Sequence, residues 1–284
     1  MDLLTKALLV SLLIFAAYAY RSESARIFNA YYPNWGQYRP APYTYLPDNI
    51  SNIVGRLDHL LYAYADIDPH NYAVHFSDAN DTSHVQRLAK FKHSYPQLRL
   101  LVSIGGDEFP SDRFSDLVSS ETKRSIFINN LKKFLNTHKF DGVDVSWKFP
   151  CSISRTIHKK HHLQCDDIIR EYDMGSSCPS DAENFLSLVR EMRSSLTNGT
   201  VITVTGPAVP YYYEQLYLSK MAEYIDYWHV ATYDYTTSAT NESHLTAPNA
   251  PLKSPPKASG VNLWNMNTTG EFYNSTVMCI INYL

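Results

Sequence analysis

The sequence predicts an α/β fold in which a parallel sheet is covered by helices, and three observations carry that prediction. Apolar runs of strand length at residues 27–32, 57–65, 98–104, 140–145, 201–205 and 227–232 alternate with helical patterns at 83–95, 121–137, 181–196 and 212–225. The stretch 140–150, FDGVDVSWKFP, follows the period of a strand. Asp144, Ser146 and Lys148 share one face, and Val143, Val145 and Trp147 share the other. The apolar face calls for a layer of helices, and the polar face for a solvated or functional interior. The 284 residues, 44% of them hydrophobic, suffice for one large domain or two small ones. A doubly wound sheet and a closed barrel both satisfy this pattern.

Taken in order, residues 1–19 read as a secretory signal peptide: Lys6 supplies the positive charge, 7–17 are apolar, and Ala17-Tyr18-Ala19 fits the cleavage pattern. The apolar run is short for a bilayer span and no later segment has the length. The expected product is a secreted, extracellular chain of one domain over 20–284, with no membrane span in the mature protein. Six Asn-x-Ser/Thr sequons, at Asn49, Asn80, Asn198, Asn241, Asn267 and Asn274, agree with a secreted glycoprotein. A formal net charge of −3 gives no footing for a nucleic-acid partner. The helix at 181–196 is expected to start on a capping box, Ser180-x-x-Glu183.

The stretch 140–150 resembles the signature strand of family-18 chitinases, an Asp-Gly-x-Asp-x-Asp-x-Glu run followed by an aromatic residue and proline. Asp141, Gly142, Asp144 and Phe149-Pro150 match it, whereas the third acid is Ser146 and the catalytic glutamate is Lys148. Other segments resemble the family in the same order. Tyr31-Tyr32-Pro33-Asn34-Trp35 with Gln37-Tyr38-Arg39 is similar to the first strand, and Leu61-Tyr62-Ala63-Tyr64-Ala65 to the second. Ser103-Ile104-Gly105-Gly106 is similar to the third, Thr232-Tyr233-Asp234 to the sixth, and Asn249-Ala250-Pro251-Leu252 to the loop after it. The resemblance implies a TIM-type (β/α)8 barrel, of which about six βα units are present here, with its site at the carboxyl ends of the strands.

It also implies a chemistry that this chain has lost. Family-18 enzymes are substrate-assisted: the N-acetyl oxygen of the substrate attacks the anomeric carbon, the glutamate protonates the leaving oxygen, and the middle aspartate stabilises the cationic intermediate. A lysine, with an ordinary pKa of about 10.4, is a reluctant acid at pH 7. Its charge opposes an oxocarbenium-like transition state by about 3 kcal/mol at ~5 Å and an effective dielectric of ~20. No catalytic residue is therefore assigned, and Asp141, Asp144, Ser146 and Lys148 are the degenerate positions of the motif. Lys148 is expected to pair with Asp144 or Asp141 and plug the cleft. The resemblance places Trp35, Tyr64, Asp144, Tyr233 and Asp234 where the family contacts sugar, although barrels also bury aromatic residues for packing alone. Asp107 stands where a sugar-stacking tryptophan is usual, and Ala231 where a methionine is.

Residues 151–179 form a long polar insertion after the fourth strand of the pattern. The insect imaginal disc growth factors, a chitinase-like group without the catalytic glutamate, carry a basic insertion at this place, and Ala231-Thr232-Tyr233-Asp234 resembles them too. The run from His158 to Cys165 has a spacing that zinc accepts when helical. A solvated basic loop with its cysteines in disulfides accounts for the same residues, and no metal or cofactor is assigned. Cys151, Cys165, Cys178 and Cys279 allow three pairings, of which one within the insertion is favoured because three of the four lie there. The chain ends inside the helical pattern 272–284, before the family's seventh and eighth strands, so the barrel is expected to be truncated.

Three readings of function follow: a secreted, catalytically inactive chitinase-like protein with a growth-factor or signalling role and weak chitin binding; an active chitin hydrolase recruiting Asp107 or Glu108 as its acid; or a nonfunctional fragment. The first implies N-acetylglucosamine oligomers and a cell-surface receptor as partners.

Overall fold

The computed structural model describes residues 27–150, 178–207 and 216–231. Outside them lie the segment 1–19, most of the insertion 151–179, Asn241, Asn267, Asn274, Tyr233, Asp234 and the helical pattern 272–284. The pairing of Cys151, Cys165, Cys178 and Cys279 and the run from His158 to Cys165 also lie outside the described residues.

Seven strands of the described residues form one sheet. They are β1 (Asn29–Pro33), β2 (His59–Ile67), β3 (Val74–Phe76), β4 (Arg99–Gly105), β5 (Gly142–Ser146), β6 (Val201–Pro207) and β7 (Tyr227–Ala231). The order β1-β2-β4-β5-β6-β7 is parallel throughout, and β3 is an antiparallel appendage on β2. Each new parallel strand is added on the same side of the last, whereas a doubly wound sheet reverses direction. The sheet also curls. Six strands laid flat would hold β1 and β7 about 24 Å apart, yet Tyr31 Oη of β1 lies 2.7 Å from His229 Nδ1 of β7. Parallel strands curled in chain order, with helices outside, are part of a TIM-type barrel.

The helices are α1 (Asp81–Ser94), α2 (Ser111–Val118), α3 (Glu121–His138), α4 (Cys178–Ser195) and α5 (Leu218–Met221). The main core lies between them and the outer face of the sheet. Val102, Ile104, Val143, Val145, Ile202 and Val204 meet Leu88, Leu117, Phe127, Leu131, Leu188 and Met192, all buried. Runs apolar on this face and mixed on the inner one are what a sheet covered by helices requires. Arg124 ties α3 to α4 by a two-pronged pair with Glu191 at 2.7–3.0 Å, and also donates to the Val118 carbonyl at 2.9 Å.

Four expectations change. The pattern at 212–225 forms only the single turn of α5 among the described residues; beyond it the Tyr224 carbonyl accepts from Arg193 Nε at 2.8 Å. Helix α4 begins at Cys178, so Ser180 sits inside the first turn instead of capping it. The short elements β3 and α2 carry too few residues for their period to stand out; in α2 only Phe114, Leu117 and Val118 mark the buried side.

The fourth concerns Asp141, which belongs to the opposite end of the barrel from the expected cleft. Three aspartates, each just ahead of a strand, form the same clamp on the strand before it. Asp58, Asp141 and Asp226 accept the backbone N–H groups of Phe28, Leu100 and Ile202, each at 2.8 Å. Their own N–H groups donate back to the carbonyls of the same three residues at 2.7–2.8 Å. Asp141 is further held by Lys92 Nζ at 2.6 Å, and Asp226 by Arg193 at 2.6 Å. An ionised acceptor makes such bonds about twice as strong as neutral ones. Asp141→Asn should therefore lower stability by about 2–3 kcal/mol, as read by urea denaturation.

Candidate functional site

The inner face of the curled sheet is apolar at one level and polar at the next. Tyr31, Leu61, Ala63 and Leu101 form a small inner cluster. Register then lines up Ala63, Ser103, Asp144, Thr203 and Tyr227 across five neighbouring strands. Residues paired in register share a face, with Cβ atoms about 5 Å apart, so Ser103 and Thr203 flank Asp144 as a consequence of pairing alone. Ser103 Oγ donates to Asp144 Oδ2 at 2.6 Å and Thr203 Oγ1 to Oδ1 at 2.7 Å. Thr205 Oγ1, one pleat higher, donates at 3.0–3.2 Å, and Tyr31 Oη at 3.0 Å. His229 Nδ1 stands 3.5 Å from Oδ1.

Asp144 and His229 are both fully buried. Burial alone pushes the carboxyl upward, but His229 and the hydroxyls of Ser103 and Thr203 outweigh it and hold Asp144 below the ordinary carboxylate range. The carboxylate is thus anionic at neutral pH, with its lone pairs taken by the protein. The sequence reading placed Tyr31 and Ser103 in strand segments without giving them a site role, and assigned none to Thr203, Thr205 or His229. The available signal was a row of polar residues at alternate positions of otherwise apolar strands, most plainly the histidine inside Tyr227–Ala231.

Past Asp144, Ser146 remains on the inner face and its Oγ has no hydrogen-bond partner. Trp147 turns outward as the alternation requires; its ring stacks on Phe114 at 5.3 Å and its Nε1 donates to Ser111 Oγ at 2.7 Å. That anchor sends Lys148 back over the mouth. Its Nζ reaches Asp107 Oδ1 at 2.6 Å, not Asp144 or Asp141. The expected pairing fails for two reasons: Asp144 is already enclosed by hydroxyls and His229, and Asp141 lies at the amino end beside Lys92. The Lys148 side chain is 9% exposed and that of Asp107 65%.

The loop that carries Asp107 is shaped by two glycines. Gly105 and Gly106 adopt φ of +103° and +101°, where side chains are strained. A Cβ on Gly105 would come within 2.4 Å of the Ser146 carbonyl oxygen, and one on Gly106 within 2.7 Å of the Tyr64 ring. Tyr64 takes that space because a bulge in β2, between Ala63 and Ala65, turns it inward next to Ala63. It stacks on Trp35 with ring centres 5.9 Å apart and planes 15° from parallel, and Trp35 remains 39% exposed. The structure thus sets Trp35, Tyr64, Ser146 and Lys148 towards the carboxyl end, Asp144 in the interior behind them and Asp141 at the opposite end. Asn49, Asn80 and Asn198 all occupy exposed positions.

A family model described as Glycosyl hydrolases family 18 matches residues 27–278. Chitinase-3-like protein 2 of Homo sapiens is 39% identical over 120 residues, which are 42% of this chain and 30% of that protein. Chitinase-like protein Idgf5 of Glossina morsitans morsitans is 28% identical over 205 residues, 66% of this chain and 46% of that protein. The matched part spans less than half the length of these curated relatives. Among solved structures, human YKL-39, titled a pseudo-chitinase with retained chitooligosaccharide binding properties, superposes with a TM-score of 0.70 at 25% identity. That match covers 89% of this chain and 64% of the other.

A carboxylate whose folded pKa lies below its unfolded value adds stability above about pH 4 and loses it as pH falls through the folded value. Asp144→Asn should cost about 2–4 kcal/mol at pH 7. Its deficit relative to the unmutated chain should shrink on acidification to pH 3, measured by urea denaturation at both pH values.

Proposed function

The chain belongs to glycosyl hydrolase family 18, and from that premise we propose that it is a secreted, non-hydrolytic chitinase-like protein that binds N-acetylglucosamine oligomers and serves a growth-factor or signalling role. One observation carries the loss of catalysis: the residue at the acid's position is Lys148, and its ammonium is held by Asp107. A general acid must present a proton to the leaving oxygen and give it up in the transition state, a contribution worth ~10²–10⁴ in rate. The Lys148 ammonium is directed instead at a carboxylate of the protein. Asp107, the nearest substitute acid, has its carboxylate engaged with that lysine.

Binding is supported by what remains. Trp35 and Tyr64 present a stacked aromatic wall at the mouth, of the kind that packs on the apolar face of a pyranose. Human YKL-39 is described as a pseudo-chitinase with retained chitooligosaccharide binding properties, and the same combination fits the residues here. The growth-factor side of the proposal leans on the likeness to Idgf5 and implies a cell-surface receptor. Secretion leans on the reading of residues 1–19 and on the exposed sequons Asn49, Asn80 and Asn198.

The test pairs a fluorogenic hydrolysis assay with calorimetric titration of N-acetylglucosamine oligomers. The expected result is binding without turnover, weakened about three- to tenfold by Trp35→Ala or Tyr64→Ala. Turnover abolished by Asp107→Ala or Glu108→Ala would instead make the protein a hydrolase with a relocated acid.

A further inference from the structure

Trp35 is carried by an element whose own hydrogen bonds are weak. Residues Asn34–Tyr38 form a 3-10 turn of five residues directly after β1, with no side-chain cap at its start. Turns of this kind rarely run beyond three or four residues, because their hydrogen bonds are poorly aligned. One backbone bond, from the Tyr45 N–H to the Gly36 carbonyl at 2.9 Å, ties the turn to the chain that follows. The segment leading into α1 holds it by side chains. Asn34 Nδ2 donates to Asp81 Oδ1 at 3.1 Å, Asn80 Nδ2 donates to Gln37 Oε1 at 2.9 Å, and Tyr38 Oη donates to Asp78. With about three residues per turn, Asn34 and Gln37 fall on one side, and Gln37 Nε2 stiffens that side by donating to the Asn34 carbonyl at 3.0 Å. Trp35 is left 39% exposed, with its ring stacked on Tyr64.

Of these contacts, the one through Asp81 reaches the core. Asp81 is fully buried, whereas Asp78 is half-buried and Asn80 exposed. Its Oδ1 also accepts from Tyr62 Oη of β2 at 2.5 Å, and its Oδ2 from the Asp78 N–H at 3.1 Å. Tyr62 is itself immobilised, fully buried and stacked on Tyr32 of β1 with ring centres 5.8 Å apart. The turn therefore hangs from the sheet by a chain of contacts that runs from Tyr62 through Asp81 to Asn34. Hydrogen bonds to a carboxylate are the stronger class, and a buried acceptor that loses a donor is destabilised, which keeps Asn34 in place. Tyr64, the other ring of the wall, stands two residues after Tyr62 on the same strand. One buried group thus sets the two rings relative to each other, Tyr64 through the strand and Trp35 through Asn34. Rings set before a ligand arrives need no ordering on binding, and ordering a side chain costs affinity.

We propose that Asp81 is the positioning residue of the aromatic wall: it holds the Asn34 amide, and through it the ring of Trp35, in the stacked arrangement with Tyr64 before an oligosaccharide binds. The proposal rests on the saccharide-binding reading above and adds to it the group that presets the binding surface.

The experiment makes two measurements on the full chain. One is the calorimetric affinity for an N-acetylglucosamine hexamer. The other is the near-ultraviolet circular dichroism contributed by the Trp35 ring, taken as the difference from Trp35→Ala. Asp81→Asn breaks the tether from the core side, and Asn34→Ala breaks it from the turn, at a half-buried position. Each should weaken hexamer binding about threefold to tenfold and reduce the Trp35 signal. The double variant should bind no more weakly than the worse of the two, because both remove one bond, and in a Trp35→Ala background Asn34→Ala should change affinity no further. A general loss of stability would not depend on Trp35 in this way. Unchanged affinity or an unchanged Trp35 signal in Asn34→Ala overturns the proposal, and so does a loss of affinity that persists in the Trp35→Ala background. Should Asp81→Asn fail to fold, Asn34→Ala decides the matter alone. An unmutated chain that binds no hexamer removes the saccharide reading, while the Trp35 signal in Asn34→Ala still decides whether Asp81 positions the ring.

Discussion

The buried carboxylate of Asp144 is the constraint on which the interior of this protein depends. It accepts hydrogen bonds from β1, β4 and β6 and lies beside the imidazole of β7, while its own backbone belongs to β5. An anion with no water around it must be surrounded by donors, and groups on four other strands converge on one point only if the sheet is curled. The polar row across the inner face is thus both the solvation shell of Asp144 and a set of struts across the barrel. Hydrophobic packing against the helices explains why the strands are covered. The polar row explains why their far side closes around a centre.

Asp107 and Lys148, which the sequence offered as separate observations, form one feature in the structure. Each lies two residues past the end of a strand, β4 and its neighbour β5, and their charges meet at 2.6 Å. Lysine in the acid's position with no carboxylate near it would leave a poorly solvated cation in the mouth. Together they are electrically neutral, each side chain meeting the charge of the other.

The signature stretch also divides its labour along the strand. At about 3.3 Å per residue, the distance from Asp141 to Lys148 spans roughly 23 Å, which takes it from one end of the barrel to the other. Asp141 clamps the previous strand at the amino end, as Asp58 and Asp226 do on other strands. Asp144 organises the middle, and Ser146 and Lys148 form the mouth. Residues adjacent in one motif therefore answer to different pressures: strand alignment at Asp141, interior solvation at Asp144 and the ion pair of Lys148 at the carboxyl end. This follows the general separation in such barrels between a stabilising amino face and a functional carboxyl face.

The sequence by itself determined the strand–helix order, the two faces of the stretch 140–150 and the absence of an acid at position 148. All three are local properties, set by side-chain period and residue type. It also showed that Asp144 shares a face with Ser146 and Lys148, because a strand alternates wherever it is placed. Only the tertiary structure decided which groups meet. Tyr31 and His229 are 198 residues apart and bond at 2.7 Å. Lys148 finds Asp107 and not the two aspartates nearest to it in sequence, and Tyr64 turns inward through a bulge that its neighbours do not announce. The physical reason is that strand order, register and curl set the distances between elements, and those are properties of the whole sheet. No stretch of chain carries them alone, and so chemistry legible residue by residue became a site only when the strands were aligned.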